Sequence, residues 1–126
     1  MEIESSFVTF DQSKLLRKNG FDQETFAFYW SDTKQLIVDN DKGRHNGCHI
    51  QAPEQWQVVE WFRIKYNIWI NVTIGMARFG YHCSITKVNI LGASDINFSE
   101  SHYNTPKEAY SEAITYILNI LESNGK

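Results

Sequence analysis

Two imidazoles and a thiol lie close together in His45-Asn46-Gly47-Cys48-His49, and a second pair, His82-Cys83, follows farther along the chain. Imidazole and thiolate are the donors zinc prefers, and a closed structural site takes four of them. The spacing matches no zinc knuckle: there is no C-x-x-C, and neighbours such as His82 and Cys83 point to opposite faces of a strand. A site built from His45, Cys48 and His49 is therefore a metal alternative, set against a polar loop holding one small buried cysteine. The same side chains could pair a thiol nucleophile with an imidazole base, which demands a lowered thiol pKa and a base within hydrogen-bond reach. No nucleophile motif surrounds Cys48. Asp39-Asn40-Asp41-Lys42-Gly43 begins like a calcium loop, but Arg44 and Ile50 stand where that loop needs glycine and glutamate. There is no G-x-G-x-x-G, P-loop or G-x-S-x-G, so no cofactor is implied and a noncatalytic protein is favoured over an enzyme.

The composition narrows the classes further. With 126 residues, 42% hydrophobic and 14% aromatic, the chain can build one core without staples, and it is expected to form a single domain over 1–126. A formal net charge of −3 disfavours partners selected by bulk negative charge, such as duplex nucleic acid or an anionic membrane. Two cysteines make no disulfide framework in a chain of this size. The start, MEIESSFVTF, lacks the basic and apolar regions of a secretory signal, and no apolar run approaches the roughly 18 residues of a membrane span. A cytoplasmic protein is expected.

Local patterning predicts the elements that would position any site. Thr9-Phe10-Asp11-Gln12 is a capping box opening a first helix, with Leu15 and Leu16 on its apolar side and Gly20 as its C′ residue. Residues 26–30 read as an aromatic strand and 35–39 as its hairpin partner, with a polar loop over 40–49. Pro53 suits the first turn of a second helix. At 100° per residue, Gln55, Val58, Val59, Phe62 and Tyr66 share its core face. Ile68, Ile70, Val72 and Ile74 alternate with Trp69, Asn71 and Thr73 as in a half-buried strand. A partner strand is expected over 81–90, with a bulge near Lys87 where the apolar parity switches. Thr105-Pro106-Lys107-Glu108 opens a last helix whose apolar arc is Ala109, Ala113, Tyr116, Ile117, Ile120 and Leu121. The expected class is α+β, with an antiparallel sheet of about four strands and three helices in the order α-β-β-α-β-β-α.

Three large apolar residues break this pattern. Trp61 and Ile64 fall on the polar side of the second helix, and Trp69 falls among Asn71 and Thr73 on the wet face of its strand. Exposed aromatic clusters mark interfaces, where tryptophan is enriched, so Trp61, Ile64 and Trp69 are the candidate binding residues. The expected partner is a protein, a second copy of this chain included, since most oligomers are homomeric. Phe26, Phe28, Trp30 or Trp69 could instead stack single-stranded bases, but Lys87 alone among basic residues lies well inside a predicted strand. Nucleic acid is accordingly the weaker alternative.

The assembled residues also resemble a known group. Phe21-Asp22, Phe26-Ala27-Phe28-Tyr29, Ala52-Pro53, Trp61-Phe62-Arg63-Ile64-Lys65-Tyr66, Tyr103-Asn104-Thr105, Glu108-Ala109 and Ala113 are similar to those of small proteins encoded by phages and prophage-like elements of Bacteroidetes-type gut bacteria. The likeness spans most of the chain and consists of caps, core faces and the helix-to-strand junction. The His45-Asn46-Gly47-Cys48-His49 segment stands outside it. The resemblance implies a bacterial host cytoplasm and an accessory or regulatory role there, and it carries no catalytic residue with it.

Overall fold

The computed structural model describes residues 6–25, 27–38, 49–74, 80–89, 92–93 and 98–124. Three helices and a set of short antiparallel strands make the chain α+β, as its patterning implies. The strands expected in one sheet form two, one of three strands and one of four. The chain divides into two compact units, Met1–Gln55 with Leu118–Lys126, and Trp56–Ile117.

In the first unit, α1 (Phe10–Lys18) is capped as its sequence predicts. The Gln12 amide donates to the Thr9 hydroxyl at 3.1 Å, and the Thr9 amide donates to the Gln12 side-chain oxygen at 2.9 Å. At the other end Gly20 takes a φ of 89°, a left-handed position where glycine avoids the Cβ clash. This lets the Gly20 amide reach the Arg17 carbonyl and the Phe21 amide reach the Leu16 carbonyl, a Schellman closure. Lys18 continues outward to the Glu122 carboxylate at 3.0 Å.

Strand β1 (Ala27–Trp30) pairs antiparallel with β2 (Leu36–Val38) across a tight loop in which Lys34 has a φ of 60°. The Lys34 amide donates to the Trp30 carbonyl at 2.8 Å, closing the turn expected between the two strands. The other edge of β1 takes β3 (His49–Gln51), which the polar-loop expectation missed. A run of three residues is too short for alternation to register. Pro53 is fully buried and lies before the second helix rather than in its first turn. Its carbonyl accepts from the Val8 amide, while the Gln55 amide donates to Ser6, so residues 6–8 run antiparallel to 53–55. Ala27, Tyr29 and Ala52 form a small core here, flanked by Phe7, Phe10 and Leu36.

The second unit is built on α2 (Gln55–Tyr66) and the sheet that follows it. The helix stops at Asn67, whose φ of 57° turns the chain in one residue into β4 (Ile68–Ile74). Asparagine tolerates this left-handed position better than other side-chain-bearing residues. Strand β5 (Tyr81–Asn89) pairs with β4 without a break from Ile68 opposite Lys87 to Ile74 opposite Tyr81. The bulge expected near Lys87 is therefore absent from this ladder. Past Lys87 the Val88 amide still bonds the Asn67 carbonyl just before β4, and on the other edge of β5 Val88 pairs with Ala93 in β6 (Gly92–Ala93). The irregularity lies where β5 meets β7 (Phe98–Tyr103), between Tyr81 and Cys83.

Helix α3 (Pro106–Asn124) starts as predicted, its Glu108 amide donating to the Thr105 hydroxyl at 3.1 Å. The Glu108 carboxylate reaches back to the Asn104 amide, one residue before the cap. Ala109, Ala113, Ile114, Ile117 and Leu118 are fully buried, so the core arc includes Ile114 and Leu118, whereas Tyr116, Ile120 and Leu121 are half-buried at its margin.

Candidate functional site

The surface around α2 and β4 is set by two different periodicities. On β4, Ile68 and Ile70 are buried while Trp69, Asn71 and Thr73 are exposed, the period-two pattern of a one-sided sheet. On α2, Gln55, Val58, Trp61 and Phe62 are buried. Trp56, Glu60 and Ile64, spaced by four, run down an exposed face.

Ile64 is 70% exposed, Trp56 62% and Trp69 44%, whereas Trp61 is only 7% exposed. The expectation that Trp61 faces water is thus corrected. Its ring meets Tyr66 edge-on at 5.5 Å and Phe62 at 5.7 Å, and the Lys65 ammonium lies over it at 4.9 Å. A helical wheel assigns Trp61 an angle but not the reach of an indole, which extends sideways from the margin into the buried arc. Trp56, which raised no conflict in the pattern, is the exposed tryptophan of this helix. Its one sequence signal is its position one residue after Gln55, off the core face.

Arg63 joins the two elements. Its guanidinium makes a two-pronged contact with Glu60, at 2.9 and 2.8 Å, and lies 5.3 Å from the centre of the Trp69 ring. The planar fork suits both the carboxylate and the aromatic face, which a lysine could not match. The Arg63 hydrogen bond holds the Glu60 carboxyl below its ordinary range, and Glu60 in turn raises Arg63. The arrangement is three large exposed apolar groups, Trp56, Ile64 and Trp69, on the helix and strand that the Glu60–Arg63 ion pair borders.

The remaining candidates sit elsewhere. His45, Cys48 and Phe26 lie outside the described residues, and His49 is described only as backbone in β3, opposite Trp30. Cys83 is a buried thiol, outside any disulfide, on the inward face of β5. Among the described residues no three His, Cys, Asp or Glu side chains gather as a metal would require. Phe28 is buried and packs edge-on against Trp30 at 6.3 Å, so it is not an open stacking platform. Among the described residues no helix is long and apolar enough to cross a membrane. Compared with known families, curated proteins and solved structures, the chain matches none.

Proposed function

We propose that the protein is a noncatalytic accessory factor that acts by binding a protein partner, a second copy of itself included, through the surface of Trp56, Ile64 and Trp69. The observation that carries this is the exposure of Ile64, at 70%, on the helix whose Arg63 stacks on the exposed Trp69. Leaving such side chains in water forgoes about 1.5–3 kcal/mol each relative to burial. Single exposed apolar residues are ordinary, but three large ones on one helix and the strand that follows it support an interface. Trp61, buried between Lys65 and Tyr66, holds the helix end that presents them. The likeness to phage and prophage proteins of Bacteroidetes-type gut bacteria favours a bacterial host cytoplasm as the setting, with host or phage replication machinery as what the factor acts on.

Light scattering coupled to size exclusion tests this on wild type, Ile64→Lys and Trp69→Ala. The expected result is a wild-type assembly that both substitutions weaken while the circular dichroism spectrum is unchanged. An assembly indifferent to both would overturn the assignment of this surface.

A further inference from the structure

We propose that β4 is itself a docking strand, and that its occupant is β4 of a second copy, paired antiparallel about Asn71. This rests on the protein-binding function proposed above and specifies its partner and geometry. Strand β4 has β5 on one side and, among the described residues, no strand on the other. An open edge presents a row of amide and carbonyl groups ready to template another strand. Edges are usually blunted by brevity, proline, charge or a bulge. Here β2 is short and β7 is irregular, but β4 has seven residues, IWINVTI, with no proline or charge and an unbroken ladder.

A second copy is the occupant because most oligomers are homomeric and the strand is complementary to itself. Pairing about Asn71 sets Ile68 opposite Ile74 of the second copy, Trp69 opposite Thr73, Ile70 opposite Val72, and Asn71 opposite Asn71. Every pair matches parity, so the buried faces of both sheets continue on one side and the exposed faces on the other. A shift of one residue would set the buried side chains of one copy against the exposed ones of the other. Trp69 with Thr73 is an aromatic–β-branched pair, a favourable cross-strand combination. The Asn71 amide has donors and an acceptor, so two copies on the axis complement one another. Charge agrees: β4 carries none, and the nearby Arg63 is paired with Glu60.

The test places charges on the axis. Asn71→Lys and Asn71→Glu, at an exposed position, are each expected to be folded monomers by light scattering, and their equimolar mixture is expected to dimerise. A covalent readout is independent of that result. On a Cys48→Ser background, Asn71→Cys should cross-link on oxidation. Thr73→Cys should not, because its two copies would stand about 14 Å apart along the strands, beyond disulfide reach. A dimer that survives Asn71→Lys and fails to cross-link through Asn71→Cys, yet is split by Ile64→Lys, overturns strand pairing while the docking function stands. A wild-type monomer at every concentration overturns the pairing outright.

Discussion

Tyr29 donates its hydroxyl to the Val8 carbonyl at 2.6 Å, tying the segment before α1 to the central strand of the first sheet. Tyr29→Phe leaves that carbonyl without its donor and should cost about 1–3 kcal/mol in chemical denaturation. Burial raises the Tyr29 pKa above its ordinary value. The folded state therefore holds the phenolic proton more tightly than the unfolded chain. The resulting stability is fully present below the unfolded tyrosine value of about 10 and declines as pH rises above it. That alkaline decline should shrink in Tyr29→Phe. Ser13 presents the opposite case, a buried hydroxyl that finds no partner among the described residues. Ser13→Ala removes an unmet polar group and improves helix propensity, so the midpoint should hold or rise, by up to about 1 kcal/mol. Trp61→Ala should behave as a core truncation costing about 3–5 kcal/mol, in contrast to Trp69→Ala, whose effect should fall on association. The difference follows from what surrounds each indole, which sequence spacing alone does not reveal.

At the scale of elements, the parts legible in the sequence are those set by local chemistry. The capping box at Thr9, the glycine at position 20, the Thr105 cap and the alternation of β4 all stand where residue type and spacing predict them. Each depends on neighbours within a few positions. What escaped depends on distant ones: β3 exists because β1 offers it an edge, and the arc of α3 reaches Ile114 and Leu118 through packing rather than composition. The α2 surface was half legible, since Ile64 and Trp69 are exposed as their spacing predicts while Trp61 is buried and Trp56, to which the spacing assigned no face, is exposed. The local devices have measurable worth. Thr9→Ala removes the hydroxyl that meets the Gln12 amide and should lower stability by about 1 kcal/mol, read from the shift in urea midpoint at constant slope.

For the whole molecule, an association built on apolar side chains and backbone pairing predicts a particular response to salt. Surface ion pairs are screened within about 10 Å at 0.1 M ionic strength, whereas apolar contacts are not. The dimer constant measured by light scattering should therefore hold or rise with added salt, while binding carried by phosphate contacts would fall steeply. The two edges of β4 also differ in a way that a proton can count. One edge is bonded to β5 and, among the described residues, no strand lies along the other, so successive backbone amides along Ile68–Ile74 alternate between a β5 acceptor and the edge proposed to pair with a second copy. Amide exchange along this single strand should read as a comb, slow and fast by turns, and the fast teeth should vanish as concentration rises.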